Sequence, residues 1–204
     1  MHARAIAHLQ DRDPRLSDWI GRIGPIRLPP RRTKDPYRAL LQSVVYQQLH
    51  AAAARSIWQR FLDGFPAHDP TPAQLLAASD PQLRGAGLSR GKMRAMRAIA
   101  ASAAAGDIPN ATDVLRIPEA DLRERLLRIH GVGPWTVDML LIFTLRRPDV
   151  MPLNDYGIAK GFKRAFGKRQ HPTAGQLLRH SERWRPHRTT AALYLWRIAD
   201  QPVP

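Results

Sequence analysis

The chain has 204 residues and carries 32 Lys and Arg against 17 Asp and Glu, which gives a net charge of +15 and a pI near 11.4. This excess favours a polyanionic partner such as nucleic acid, with a basic solvated surface as the alternative. The sequence contains no cysteine, which excludes disulfides, thiolate zinc sites and cysteine-ligated iron–sulfur clusters.

The predicted elements are helical along the chain. Apolar residues at helical spacing cover residues 35–65, and the pattern is interrupted near Gln47–His50. Residues 71–108 predict three helices, with Pro72 and Pro81 at helix starts and glycines at helix ends. Further helices are predicted over residues 117–129, 134–145, 155–167 and 173–200. No segment alternates apolar and polar residues with a period of two between hairpin turns, so no strand is predicted and the predicted fold class is all-α.

No segment of the sequence predicts a membrane span or a secretion signal. The longest apolar run, residues 139–143, is too short to span a bilayer. The first residues lack the apolar core of a signal peptide. We therefore expect a cytoplasmic protein with no membrane partner, located in the cytosol or nucleoid of a bacterial cell.

Two glycines, Gly131 and Gly133, lie between the helices predicted over residues 117–129 and 134–145. Glycine adopts a positive φ without a Cβ clash, so Gly131 and Gly133 predict a very tight reversal. Such a turn leaves backbone N–H groups unpaired at the start of the second helix, where the helix dipole favours an anion. The stretch therefore predicts a phosphate site of the helix-hairpin-helix kind. An ordinary helix connection capped by the glycines is the alternative.

The hairpin and the segment that follows it resemble a known protein family. Residues 126–143 and 150–162 resemble the helix-hairpin-helix, the Gly/Pro-rich loop and the aspartate of the HhH-GPD superfamily of DNA glycosylases. Residues 36–57, 83–100 and 183–196 are similar, in the family's order, to its alkylation-repair branch, the 3-methyladenine DNA glycosylase II or AlkA type.

The resemblance implies a two-lobed all-α fold with the active site in the cleft between the lobes. One lobe would cover residues 33–144, and the other would combine residues 1–32 with 145–204. It implies a monofunctional, monomeric enzyme of base excision repair that releases 3-methyladenine and 7-methylguanine from double-stranded DNA. Two other functions fit the same residues: a non-catalytic DNA-binding module, and a glycosylase for uncharged lesions such as uracil or oxidised guanine.

The resemblance assigns Asp155 as the catalytic carboxylate, which would stabilise an oxocarbenium-like sugar and orient water. Aspartate is also a common helix N-cap, and from the residues alone either role explains Asp155. Trp135 stands where strand-cutting relatives have a lysine that forms a Schiff base, so no AP-lyase activity is expected. Trp135, Met139 and Trp196 would line a pocket whose indole faces attract a cationic base. Core packing is the alternative for either tryptophan.

The remaining implied roles concern DNA and an ion. Leu49 would be the wedge that fills the gap left by a flipped base, with Gln48 and Gln47 bonding the orphaned base or nearby backbone. A buried loop position is the alternative for Leu49. Lys92 is a secondary phosphate candidate or a solvated side chain. The phosphate contacts would come from Gly131, Val132, Gly133 and Thr136. A structural Na⁺ or K⁺ would bind the backbone carbonyls of Leu127, Ile129 and Val132, and no other cofactor is required.

Overall fold

The computed structural model describes residues 2–30 and 33–202, without the side chains of His2 and Ala51. Within these ranges every regular element is helical and no strand occurs, so the all-α prediction is confirmed. None of the described helices is both long enough and apolar enough to cross a membrane. The α-helices are α1 (His2–Arg12), α2 (Pro14–Ile23), α3 (Pro36–Tyr46), α4 (Ala51–Asp63), α5 (Pro72–Ala77), α6 (Asp80–Gly85), α7 (Arg90–Ala104), α8 (Glu119–Leu127), α9 (Pro134–Met139), α10 (Tyr156–Ala165), α11 (Ala174–Ser181) and α12 (Arg188–Ala199).

Polar caps and first-turn prolines set where many of these helices begin. The Asp35 carboxylate accepts hydrogen bonds from the backbone N–H groups of Tyr37 and Arg38 at the start of α3. Thr71 and Thr173 each form a reciprocal capping box with the glutamine three positions later. Because these signals are local, the three helices expected within residues 71–108 are present as α5, α6 and α7.

One predicted helix changes type along its length. The sequence predicts a single helix over residues 134–145, but α9 ends at Met139 and Leu140–Thr144 continues as a π-helix. A π turn bonds i to i+5 and so rotates the side chains that follow it, which apolar spacing alone does not reveal. In this segment Phe143 stacks on Trp196 of α12, with ring centroids 5.8 Å apart and ring planes inclined by 28°.

The chain divides into two compact units. The terminal unit comprises residues up to Pro30 and from Leu141 onward, and the middle unit comprises the residues between them. The second division falls at Leu141 rather than at residue 145, because the π-helical segment packs with α12 through Phe143. In the middle unit α3 packs against α4, α7 and α9, while α8 packs against α9. Its core contains Leu40, Val44, Met96 and Ile99.

The terminal unit is built around the crossing of α10 and α12. A Cβ at Gly161 would lie 1.9 Å from the Leu195 carbonyl oxygen, so only glycine allows this close approach. The buried Asp13 carboxylate caps α2 and accepts a hydrogen bond of 3.1 Å from Trp184 Nε1. His180 Nε2 lies 2.9 Å from the same carboxylate. These contacts join the two ends of the described chain in one core.

Candidate active site and nucleic-acid interface

The turn between α8 and α9 uses its two glycines for different reasons. Gly131 has a φ of +82°, and a Cβ there would lie 2.2 Å from Ala95 Cβ. Gly133 caps α9 with a φ of −98°, which any residue adopts, and a Cβ there would meet no described atom within 4 Å. The expectation that both glycines supply the reversal is therefore wrong for Gly133. Its open surroundings instead leave the backbone accessible to a ligand.

Two of the four residues predicted to contact phosphate, Val132 and Thr136, form hydrogen bonds within the protein. The Val132 N–H donates to the Ile129 carbonyl at 3.0 Å, so it is not an unpaired donor. Thr136 is 1% exposed, and its hydroxyl accepts a hydrogen bond of 3.0 Å from Gln47 Nε2. The phosphate roles of Val132 and Thr136 stay predictions, with these two groups already bonded inside the protein. Gly131 and Gly133 retain solvent exposure.

The predicted cation site consists of backbone oxygens in the same turn. The Ile129 carbonyl accepts the Val132 N–H and, like every carbonyl, keeps a second lone pair. Backbone carbonyls are hard donors that suit Na⁺ or K⁺, so Leu127, Ile129 and Val132 fit such an ion chemically. The described residues contain no cluster of three or more His, Asp or Glu side chains that could hold a metal ion.

The interruption predicted near residue 47 is a tight loop between α3 and α4. Gln48 adopts a φ of +56°, a left-handed conformation that is uncommon outside glycine, and Leu49 is 40% exposed. The exposed position agrees with the predicted wedge and excludes the alternative of a buried loop leucine. Gln48 is exposed as well.

The loop is held from two sides by polar side chains. Lys92 Nζ donates to the carbonyls of Val45 and Gln47 at 2.6 and 3.0 Å, and burial lowers the pKa of Lys92. Gln47 Nε2 donates to the Gly131 carbonyl at 3.2 Å in addition to the Thr136 hydroxyl. Lys92 and Gln47 thus have partners within the protein, and their contacts with phosphate and with bases stay predictions.

Asp155 is both an N-cap and the acceptor for an indole. Its Oδ1 accepts the Ile158 N–H at 2.8 Å, at the start of α10, and Trp196 Nε1 at 2.8 Å. The two hydrogen bonds fix the direction of the carboxylate. Trp196 therefore orients Asp155, a role that the sequence alone does not reveal.

Two further residues of this cluster were not identified from the sequence. Phe143 supplies the ring on which Trp196 stacks. A Cβ at Gly157 would lie 2.8 Å from Trp196 Cδ1 and 3.1 Å from Asp155 Oδ1, so glycine is required for the indole to reach the carboxylate. The glycine two positions after Asp155 was a usable signal, whereas nothing local links Phe143 to Trp196.

An exposed aromatic residue follows the candidate carboxylate directly. Tyr156 is 70% exposed and contacts His171 edge-to-face, with ring centroids 5.3 Å apart. Large aromatic rings are seldom this exposed without a partner. Trp135 and Met139, on α9, are both half-buried. The base pocket expected from Trp135, Met139 and Trp196 stays a prediction.

Two other carboxylates in this part of the chain, Asp138 and Asp149, pair with arginines. Asp138 is 5% exposed, and its Oδ1 pairs with Arg123 Nη1 at 2.8 Å. Burial alone would lower the pKa of Arg123, but Asp138 and Glu119 outweigh it and raise that pKa. Asp149 is bound by the guanidinium groups of Arg185 and Arg188.

Comparison with known proteins identifies the family. Residues 41–186 match the model of the HhH-GPD superfamily of base excision DNA repair proteins. DNA-3-methyladenine glycosylase 1 of Schizosaccharomyces pombe is 36% identical over 208 residues, which cover 98% of this chain and 90% of that protein.

Two solved structures are similar over almost the whole chain. The first is the S. pombe 3-methyladenine DNA glycosylase in complex with abasic DNA, with a TM-score of 0.90, 37% identity and coverage of 95% of each chain. The second is a DNA-3-methyladenine glycosidase from Bacillus halodurans, with a TM-score of 0.83, 31% identity and coverage of 97% of this chain and 89% of that one. The resemblance drawn from the sequence is confirmed, and the chain belongs to the HhH-GPD superfamily of base excision DNA repair proteins.

Proposed function

We propose that this protein is a monofunctional DNA-3-methyladenine glycosylase of the type II class, which releases 3-methyladenine and 7-methylguanine from double-stranded DNA. The observation that carries the proposal is the Asp155 carboxylate, held by the Ile158 N–H and by the indole of Trp196. The relatives named as 3-methyladenine glycosylases support the substrate class. The protein would act as a monomer in the cytoplasm, on DNA.

Asp155 would act on the sugar. As the N-glycosidic bond breaks, the base leaves with the bonding electron pair and positive charge develops on the sugar. A carboxylate with a fixed direction stabilises that charge without reorganising during the reaction. Asp155 would also orient the water that adds to the sugar carbon and accept its proton. The products are a free base and an abasic site.

Aromatic rings would recognise the alkylated base by its charge. Methylation at N3 of adenine or N7 of guanine makes the base cationic, and an indole face attracts a cation by roughly 0.5–2 kcal/mol. Stacking adds about 1–3 kcal/mol per base. Trp135, Met139 and Trp196 are the residues assigned to this pocket. Because a cationic base is already a good leaving group, such a pocket needs no strong general acid.

The absence of an amine at residue 135 supports hydrolysis without strand cleavage. A Schiff base requires a nucleophilic amine, and the indole of Trp135 has none. We expect no covalent adduct to be trapped by borohydride during turnover. Trapping of such an adduct would show that the enzyme forms a Schiff base and is not monofunctional.

DNA would be held at the hairpin and opened at the loop between α3 and α4. Gly131 and Gly133 would admit a phosphate to the turn, and Leu49 would enter the base stack. A Na⁺ or K⁺ on the carbonyls of Leu127, Ile129 and Val132 would add positive charge beside that phosphate. Replacing both ions in the buffer by a bulky organic cation should then weaken DNA binding at constant ionic strength.

The decisive experiment measures bases released from methylated duplex DNA. We expect the wild type to release 3-methyladenine and 7-methylguanine, and Asp155→Asn to lose at least about a hundredfold in single-turnover rate while still binding DNA. Asp107→Asn, which neutralises an exposed carboxylate of the middle unit, is the matched control.

Three outcomes would contradict the proposal. Release of uracil or oxidised guanine in place of methylated purines would assign a different lesion class. No release of any base, with DNA binding intact, would favour the non-catalytic module. Full activity in Asp155→Asn would move catalysis to another residue.

A further inference from the structure

The carbonyl end of α3 is capped by a lysine from another helix. Lys92, on α7, donates from Nζ to the Val45 carbonyl at 2.6 Å and to the Gln47 carbonyl at 3.0 Å. The last carbonyls of a helix lack intrahelical partners and carry the negative end of its dipole, so an ammonium group stabilises them. Lys92 therefore fixes the direction in which the chain leaves α3.

The side chain of Gln47 joins the end of α3 to the hairpin between α8 and α9. Gln47 uses its side-chain amide to bond the Gly131 carbonyl at 3.2 Å and the Thr136 hydroxyl at 3.0 Å. The bonded residues are 84 and 89 positions away in sequence, one in the turn and one on α9. Since Thr136 is buried, the amide has a rigid anchor on the hairpin side.

What lies between these anchors and α4 is a loop that is not stable by itself. Gln48 holds a left-handed backbone conformation, which costs free energy and persists only where the surroundings enforce it. Leu49 follows it and presents its side chain to solvent. Lys92 bonds the carbonyls of residues 45 and 47, and Gln47 directly precedes Gln48, so both anchors act on the backbone next to these two features.

We propose that Lys92 and Gln47 form a clamp that locks the wedge loop to the phosphate-binding hairpin, so that both meet DNA as one preformed surface. Both are positioning residues, and this role rests on the proposed function of the loop and of the hairpin. A preformed wedge does not lose conformational freedom when it enters the base stack, so less of the binding free energy is spent on ordering it.

The test separates wedge insertion from catalysis. The variants are Lys92→Met, Gln47→Ala and the double variant, each mixed with duplex DNA that contains an abasic site beside a fluorescent base analogue. Arg97→Met is the matched control, since Arg97 lies on the same helix and donates to the Ala78 carbonyl, away from the wedge loop. Thermal unfolding of every variant reports stability, and affinity for undamaged duplex reports the hairpin.

We expect each single variant to lose about tenfold in insertion, seen as loss of the fluorescence change, and about tenfold in the single-turnover rate of excision. The double variant should be no worse than either single one, because both act through the same loop. Affinity for undamaged DNA should stay within about twofold, and Arg97→Met should match the wild type. Lys92→Arg, which keeps a charged donor, should recover part of the loss.

Two results would overturn the clamp. One is insertion and excision unchanged in Lys92→Met and Gln47→Ala, which would make these bonds purely structural. The other is a loss of affinity for undamaged DNA in Gln47→Ala with Lys92→Met unaffected, which would mean that Gln47 touches DNA directly. If Lys92→Met does not fold, Gln47→Ala alone still decides. If the wild type releases no alkylated base, the proposed function fails while the abasic-DNA measurement still tests the clamp.

Discussion

The two glycines of the hairpin have separable requirements. Gly131 combines a positive φ with a neighbouring Cβ only 2.2 Å from where its own would be, so the fold demands glycine. Gly133 has ordinary backbone angles and space around it. If the turn binds phosphate, the space at Gly133 is needed by the ligand and not by the protein.

Substitution of each glycine by alanine tests this distinction. Gly131→Ala should lower the free energy of unfolding by about 2 kcal/mol or more, through backbone strain and overpacking. Gly133→Ala should change it by less than about 0.5 kcal/mol and yet weaken duplex binding. Urea unfolding and fluorescence anisotropy with labelled DNA measure the two effects. Unchanged affinity in Gly133→Ala would show that no phosphate approaches this residue.

The indole of Trp196 makes two contacts that one substitution can separate. Trp196→Phe keeps a ring against Phe143 but removes the donor to Asp155 Oδ1. We expect kcat on methylated DNA to fall about tenfold with little change in KM, because orientation of the carboxylate matters in the transition state. A rise in KM at constant kcat would mean that Trp196 serves only to stack the base.

An ion pair between Arg123 and Asp138 joins helices α8 and α9. Asp138 lies almost fully buried on α9, and Arg123 also contacts Glu119 one turn earlier on α8. Neutralising Asp138 leaves the half-buried Arg123 with Glu119 alone to balance its charge, and breaking a buried pair in this way costs more than the intact pair contributes.

Asp138→Asn should therefore lower the free energy of unfolding by about 3 kcal/mol while leaving the chemistry in place. The comparison with Asp155→Asn is informative, because that variant should lose activity and keep most of its stability. Chemical denaturation together with single-turnover excision, both well below the unfolding midpoint, gives the two quantities. Loss of excision in folded Asp138→Asn would place this carboxylate in the catalytic machinery.

The elements that the sequence predicts correctly are those with local signals. The break after Tyr46 interrupts the helical spacing, and the proline and cap at Thr71 and Pro72 mark a helix start. The family motif predicts the candidate carboxylate, and an N-cap is one of the two roles that the sequence allows for it. Contacts such as Gln47 with Thr136 join residues 89 positions apart, so no local pattern carries them. The π-helix at Leu140–Thr144 was missed because its apolar spacing is equally that of an α-helix.

At the scale of the whole molecule, Asp13 holds together the first and last parts of the terminal unit. Burial alone would raise the pKa of Asp13, but hydrogen bonds from His180, the Leu16 N–H and Trp184 outweigh it and lower that pKa below 3.8. A carboxyl group with a lowered folded-state pKa stabilises the fold above its unfolded pKa. That contribution is lost as the pH falls through the lowered value.

The pH dependence of stability follows from this sign. Asp13→Asn should be less stable than the wild type by about 2 kcal/mol at pH 7, because charged hydrogen bonds are lost. The difference should shrink as the pH falls from about 3.8, the pKa of an aspartate in the unfolded chain, toward the lowered pKa of folded Asp13. Urea unfolding of both proteins at pH 7 and near pH 3 measures it. An equal difference at both pH values would show that the charge of Asp13 contributes nothing.

The position of Asp13 also constrains the order of events during synthesis. His180 and Trp184 are 167 and 171 residues further along the chain, so a growing polypeptide holds an exposed, uncompensated carboxylate until almost all of it has left the ribosome. The middle unit is complete long before that moment, and domains generally fold as units while translation proceeds. We therefore expect translational pausing or truncation before residue 180 to leave a folded middle unit beside an unfolded N-terminal segment. Such a product would be recognised by proteases at residues 2–30.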